Sequence, residues 1–325
     1  MEKIILDCDP GHDDAIAILL AAGSPAIDLL GITTVAGNQT LPKVTRNALA
    51  VCAAAGISVP VAAGAEVPLV RPQLVAADIH GESGMDGPVL PEPTIELDPR
   101  HAVDFIVDTV MDEEPGTVHL VPVGPLTNIA LAMRKEPAIV DRVKSVVLMG
   151  GAYGRGNVTP AAEFNIYVDP EAAEEVFAAS WPVTMVGLDL THQAGATPDV
   201  AERIRAIGGP LADFVSELLV FFGHTYLERF GIVDPPVHDP CAVAGIIDPS
   251  IFTTADALVA VELDGSWTAG MTVVDFDPEL ALLPSTVAAA KARPRTKVAQ
   301  QLDRERFWDL VIDAVTRLSS TAPAV

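Results

Sequence analysis

Lys3-Ile4-Ile5-Leu6-Asp7-Cys8 runs directly into Asp9-Pro10-Gly11-His12-Asp13-Asp14-Ala15, and then into Ile16-Ala17-Ile18-Leu19-Leu20-Ala21-Ala22. The first six residues read as a short buried strand, and Asp13 to Ala22 as a helix entered through a Pro-Gly turn. Ile27 to Val35 returns to strand character, Leu41 to Gly56 is helical with Gly56 placed to cap its C-terminus, and Val59 to Ala63 is a further strand. Strand and helix alternating in this way predict an α/β fold, with an open, doubly wound, mostly parallel, Rossmann-like sheet flanked by helices.

The alternation continues down the chain. Helices are expected at His101 to Met111, Leu126 to Arg134 and 170–179, and strands at Thr117 to Val121, Ser145 to Met149 and 183–187. Residues 198–230 read as mostly helical. Short strands at 254–262, 270–275 and 286–290 and a last helix near 303–318 predict a small, more irregular C-terminal portion. The proline-rich stretch 64–99 reads as a long loop, a kind of segment that tends to carry function in a compact domain. With neither a repeat nor a low-complexity tract, residues 1–325 are expected to form a single domain.

Half of the 325 residues are hydrophobic, but only 10 Phe, 3 Tyr and 3 Trp are aromatic, so aliphatic side chains must build the core. That suits parallel strands covered on both faces. The net charge of −24 repels phosphate backbones and anionic lipid heads, which makes nucleic acid and membranes poor partners. Cys8, Cys52 and Cys241 are too few and too scattered for a disulfide framework or a zinc site. The first apolar run is too short for a signal peptide, and a cytoplasmic location is expected.

Asp7, Asp9, Asp13 and Asp14 place four carboxylates in eight residues, where the first strand hands over to the first helix. Ligands bind in that crevice in open α/β sheets. Helix capping accounts for one or two of the four. Crowding all four is costly without a cation, and oxygen-only donors favour Ca2+ or Mg2+. Further ligands must come from elsewhere in the chain.

The segment Asp7 to Ala15, followed by Ile32-Thr33-Thr34-Val35-Ala36-Gly37-Asn38, resembles the signature of the inosine-uridine-preferring nucleoside hydrolases. The resemblance continues through His80 to Gly84, Gly124-Pro125-Leu126-Thr127-Asn128, Met149-Gly150-Gly151, Ala162-Glu163-Phe164-Asn165 and His238-Asp239-Pro240. In pattern it lies nearest the pyrimidine-preferring ribonucleoside hydrolases. It implies the nucleoside hydrolase fold and hydrolysis of the N-glycosidic bond of ribonucleosides to free base and ribose, in nucleoside catabolism and salvage. A Ca2+-bound water activated by Asp9 would attack through an oxocarbenium-like transition state.

The resemblance further implies metal ligands Asp9, Asp14, the carbonyl of Val123, and Asp239, with Asp7 in support. Asp13 and Asn38 would hold ribose hydroxyls, Glu163 and Asn157 the 5′ end and Asn165 the 3′ side, with Met149 lining the sugar. Glu163 and Asn165, two apart, project to one side if extended. Asp239 also reads as a helix N-cap ahead of Pro240, which brings His238 to the rim as the acid for the departing base. His80, in the long loop with Gly81 and Gly84, would cover the nucleobase. Tyr226 and Phe222, four apart on a helix, would stack on the base or pack in the core. The base preference expected is broad or pyrimidine-leaning, and the assembly a homodimer or homotetramer.

Two other readings compete with this one. A Mg2+-dependent phosphohydrolase would need cationic side chains for the phosphoryl group, and the matched motifs carry none. A non-catalytic nucleoside or sugar binder would have lost Asp9 or the ligands, and all are present. Lys291, Arg293, Arg295 and Lys297 read as a solvated connection.

Overall fold

A computed structural model describes residues 1–277 and 293–321. The first half runs β1 (Glu2–Cys8), α1 (His12–Gly23), β2 (Ile27–Thr34), α2 (Leu41–Ala55), β3 (Val61–Ala63), α3 (Ala77–His80), α4 (Ala102–Asp112), β4 (Val118–Pro122), α5 (Thr127–Lys135), α6 (Ile139–Arg142) and β5 (Ser145–Met149). There follow α7 (Phe164–Val168), α8 (Pro170–Ala178), β6 (Val183–Val186), α9 (Leu188–Thr191), α10 (Pro198–Ile207), α11 (Pro210–Phe230) and α12 (Pro240–Ile247). The last elements are β7 (Phe252–Val261), β8 (Thr272–Asp275), β9 (Thr296–Leu302) and α13 (Arg304–Thr321).

The strands form one nine-stranded sheet in the order β3-β2-β1-β4-β5-β6-β9-β7-β8. All pairings from β3 to β9 are parallel, while β7 runs antiparallel to β9 and to β8. Alternate residues feed two cores. Ile4, Leu6, Val147 and Met149 pack with α1, α2, α11, α12 and α13. Ile5, Val146 and Leu148 pack under α4, α5 and α8, where Phe105, Phe177 and Trp181 are buried. Nearly every residue of α1 is buried, which is why its sequence is apolar all round rather than striped. Gly23 lets its end meet α13, since a Cβ there would fall 2.6 Å from the Ala314 carbonyl oxygen.

The chain winds outward from β1 to β2 and β3, then returns to start β4 on the other side. The switch point of the sheet therefore lies between the carboxyl ends of β1 and β4. Asp9 follows one of these strands and Val123 the other.

Most elements match the expected positions within a residue or two, and Gly56 does close α2 in the left-handed conformation, with φ 65°. Four short helices were not foreseen: α3 inside the long loop, α6, α7 and α9. The strand expected at 286–290 lies outside the described residues. Of the basic run, Lys291 lies outside the described residues, and Arg295 and Lys297 are exposed as expected. The reading is corrected at Arg293, part-buried 2.5 Å from Glu174, and in that Lys297 lies on a strand, paired with Thr184. Parallel pairing with β6 recruits this segment, and nothing within the segment itself announces it. No helix among the described residues is long and apolar enough to cross a membrane.

Candidate active site

Beyond β1, the chain turns through Pro10 and Gly11 and starts α1. Asp14 sits in the first turn of that helix and turns back: its Oδ1 accepts the Asp9 backbone N–H at 3.0 Å, and its Oδ2 that of Gly11 at 2.9 Å. Such reach-back satisfies donors at the helix entry. Asn38, beyond the end of β2, locks the arrangement. Its backbone N–H donates to Asp9 Oδ2 at 2.6 Å, and its side-chain amide to the Asp9 carbonyl and Asp14 Oδ2, both at 3.2 Å.

Asp9 Oδ1 is buried and has no hydrogen-bond partner. Gly37 and Gly124 leave room for its carboxylate, because a Cβ on either would fall 2.1 Å from Oδ2 or 2.5 Å from Oδ1. Asp7 is held by the Thr33 hydroxyl at 2.6 Å and the Asn128 amide at 2.8 Å, both on Oδ1. Its Oδ2 is the other unpartnered carboxylate oxygen.

Asp239 arrives from a segment distant in the chain, as the residue before Pro240. It occupies the N-cap position of α12, but its side chain makes no capping bond and joins the cluster instead, hydrogen-bonded to Asp14. Carboxylate oxygens of Asp13, Asp14 and Asp239 lie within 4.8 Å of one another. The His238 backbone N–H donates to Asp13 Oδ2 at 3.2 Å.

Among the described residues, no lysine or arginine bonds to any of these acids. Burial accordingly raises all of them: Asp7 and Asp13 to about 7, and Asp9, Asp14 and Asp239 upward with mutual repulsion in play. Buried carboxylates, an orphaned oxygen and an all-oxygen donor set fit a hard divalent cation. The triplet that stands together contains Asp13, whereas Asp9 lies alongside it. Val123, at the end of β4, has its carbonyl engaged by Asn165 Nδ2 at 2.8 Å.

Glu163 and Asn165 converge, but not as an extended pair. Glu163 caps α7, accepting the N–H groups of Asn165 at 2.9 Å and Ile166 at 3.1 Å, and also that of Gly151 at 2.9 Å. Burial raises its carboxyl to about 7. The Asn165 amide spans the strand ends, reaching Met149 O at 3.1 Å as well as Val123 O. Asn157 is exposed at the rim, where its side-chain oxygen accepts the Phe164 N–H.

Opposite the acids lies a buried aromatic wall on α11. His238 is held at both ring nitrogens: Nδ1 is 2.7 Å from the Thr191 hydroxyl and Nε2 is 2.9 Å from that of Tyr226. Burial pushes the imidazole down to about 3. Tyr226 packs edge-on against Phe222, with centroids 4.6 Å apart. His80 closes α3, buried against Gly11 and stacked with His12 and Phe222.

Three polar residues here escaped sequence reasoning. Asn128 ties together Asp7, the Thr34 carbonyl and the Ala65 N–H. It closes a motif that was quoted without a role. Asn47, on the apolar face of α2, donates to the carbonyls of Pro10 and Ser83, both at 3.0 Å. A lone amide inside an aliphatic helix was its only signal. His12 was passed over as part of the acidic motif.

The assembly offers buried carboxylates in a cluster suited to a cation and a buried imidazole, and among the described residues no cationic side chain bonds to the cluster. The family model described as inosine-uridine preferring nucleoside hydrolase matches residues 4–309. The chain is 54% identical over 322 residues to the inosine-uridine preferring nucleoside hydrolase of Crithidia fasciculata, covering 98% of each. To the pyrimidine-specific ribonucleoside hydrolase RihB of Escherichia coli strain K12 it is 49% identical over 313 residues, or 96% of each. Among solved structures, the purine-preferring ribonucleoside hydrolase from Gardnerella vaginalis superposes with a TM-score of 0.89 at 34% identity, over 99% of this chain and 100% of that one.

Proposed function

Since the chain belongs to the inosine-uridine preferring nucleoside hydrolase family and is a ribonucleoside hydrolase, we propose how its residues divide the work. Water attacks C1′ of the ribose, the C1′–N bond breaks, and base and ribose leave. Asp9 takes the proton from that water. One observation carries this assignment: Asp9 Oδ2 is fixed by Asn38 while Oδ1 is buried without a partner, so the carboxylate presents one oriented, poorly solvated oxygen.

Asp9, Asp14, Asp239 and the Val123 carbonyl would hold a cation, with Asp13 close by. When bound there, a hard divalent ion supplies Lewis acidity and offsets the crowded negative charge. Calcium is proposed because every donor is an oxygen and the carboxylates come from separate segments, which suits its high coordination number.

Asp13 and Asn38 hold ribose hydroxyls, Glu163 the 5′-hydroxyl with Asn157 at the rim, and Asn165 the 3′ side beside Met149. As the C1′–N bond stretches, positive charge grows on the ribose and the surrounding carboxylates stabilise it. His80 and Tyr226 meet the base. His238 protonates the departing base, and negative charge developing there favours the protonated ring against the burial that keeps it neutral at rest. The balance closes when Asp9 returns its proton to solvent and His238 takes one up.

A broad, pyrimidine-leaning substrate range is supported by the names of the Crithidia and Escherichia relatives. A cytoplasmic salvage enzyme working as a homodimer or homotetramer completes the reading. The acidic surface charge, unsuited to membranes, supports the location, and exposed Leu227, Phe230 and Val233 are side chains that an assembly could cover.

The deciding experiment incubates purified protein with uridine, cytidine, inosine and adenosine, with and without a chelator, and assays free ribose. Ribose released only without chelator is expected. No ribose from any of the four overturns the proposal.

A further inference from the structure

We infer that His12 is a positioning residue: it fixes the proton of His80 on Nδ1, so that His80 Nε2 meets the substrate as a hydrogen-bond acceptor. The inference rests on the reading that His80 touches the base.

His12 Nε2 lies 2.8 Å from the Asp86 carbonyl oxygen. A carbonyl has no proton to give, so Nε2 must carry one. That carbonyl is itself held in place, because the Asp86 carboxylate accepts the backbone N–H groups of Glu82 at 2.9 Å and Ser83 at 3.1 Å. Gly81, at φ +82°, permits the tight turn, and a Cβ there would strike the Asp86 carboxylate at 2.1 Å.

His12 Nδ1 lies 3.1 Å from His80 Nδ1. Two nitrogens at that distance share one proton. The His12 ring lies flat against Phe221, with centroids 5.0 Å apart and 1° between planes, and stacks with Phe222 and His80 at 5.4 and 5.3 Å. Among the described residues no carboxylate bonds to the His12 ring, so nothing around it holds a second proton. With its proton on Nε2, His12 offers a lone pair at Nδ1, and the shared proton belongs to His80 Nδ1. A neutral His80 is then bare at Nε2. Among the described residues that nitrogen has no hydrogen-bond partner.

The His12 backbone N–H also points at His80 Nδ1, from 3.4 Å. It is a first-turn N–H of α1 with no intrahelical partner. Accepting it would require His80 Nδ1 to be bare and His12 to hold two protons, placing a cation among stacked rings. The shorter ring-to-ring contact therefore prevails. The ligand group that meets His80 Nε2 must be a donor, such as a ring N–H or an exocyclic amine of a nucleobase.

Long-range 1H–15N correlation spectra of protein labelled with 15N-histidine, assigned with His80→Gln and His12→Asn, read the tautomers directly. Protonated His80 Nδ1 with bare Nε2, and the reverse pattern in His12, is expected; a proton on His80 Nε2 overturns the inference. His12→Phe keeps a flat ring in the stack but has no lone pair. It should mix the His80 tautomers and raise KM for uridine about tenfold, the worth of one well-made hydrogen bond, with kcat within about twofold. His12→Asn, whose side-chain oxygen can accept near the Nδ1 position, should recover most of that loss. An unchanged KM and unchanged His80 signals in His12→Phe would leave only a stacking role and defeat the inference. The spectra require no turnover, so an inactive wild type would refute the hydrolase reading without touching the tautomer.

Discussion

Tyr226 Oη stands 2.9 Å from Nε2 of His238, one turn of helix away from the Phe222 ring against which Tyr226 packs. With Thr191 on the other ring nitrogen, the imidazole is oriented at both ends by hydroxyls that can donate or accept. Replacing His238 by Ala should lower kcat on uridine and inosine by about 10²–10⁴-fold, the usual worth of a general acid, with a smaller change in ribose affinity. The same variant should keep most of its turnover on 4-nitrophenyl riboside, whose leaving group departs without a proton. Equal losses on both substrates would move the acid elsewhere.

Asp9→Asn preserves shape and removes the proposed base. Turnover should fall by about 10²–10⁴-fold. The cation-free variant should melt above the cation-free wild type, since an amide is less costly than a carboxylate in that crowded interior. Ribose release and thermal melts under chelator check the two halves separately.

Gly124→Ala tests the space around that carboxylate. Its Cβ would sit 2.5 Å from Asp9 Oδ1, and the chain must give way. Displacement of a reacting group by about 1 Å costs about 10²-fold, so kcat should drop on that scale while circular dichroism stays unchanged.

In cation-free protein, pH should act with a definite sign. Asp7 and Asp13 rise from 3.8 to about 7 and Glu163 from 4.5 to about 7 on folding, because burial disfavours the charged form. A raised acid binds its proton more tightly in the folded state, so its contribution is complete below the unfolded value and is lost as pH climbs through the folded one. Melting temperature under chelator should therefore fall between about pH 4 and 7. Added Ca2+ should restore it more at pH 7.5 than at pH 5. A flat profile under chelator would contradict the burial of these acids.

Asn128→Ala removes partners from Asp7, the Thr34 carbonyl and the Ala65 N–H together. Each stranded buried group costs about 1–3 kcal/mol, so urea unfolding should reveal a loss of at least about 2 kcal/mol.

How much of this was legible beforehand follows from where each signal resides. The strand-helix alternation of the first fifty residues is local, and it placed β1, α1, β2 and α2 closely. Asp9 and Asp14 stood out because four carboxylates are compressed into eight residues where β1 hands over to α1, whereas Asn38 entered only through the family resemblance. Glu163 and Asn165 adjoin, but not as the extended pair expected: the capping bond at the start of α7 cannot be told from an extended segment by a two-residue spacing. The segment around Lys297 read as a connection because its strand exists only through pairing with β6. The role of His12 emerges only when α3 brings His80 and Asp86 against it, a contact between segments far apart in the chain.

The hydrogen bond from His238 to Asp13 joins residues 225 positions apart, which gives the site a history during synthesis. The acidic loop is made among the first residues and Asp239 only after α11. Any nascent or truncated chain ending before that point carries the loop without the Asp239 carboxylate that completes the cluster, and its own carboxylates favour water over burial. Burial of the acidic loop is thus deferred until Asp239 has been made, so if these carboxylates hold a cation as proposed, fragments that stop short of Asp239 should be both inactive and blind to calcium.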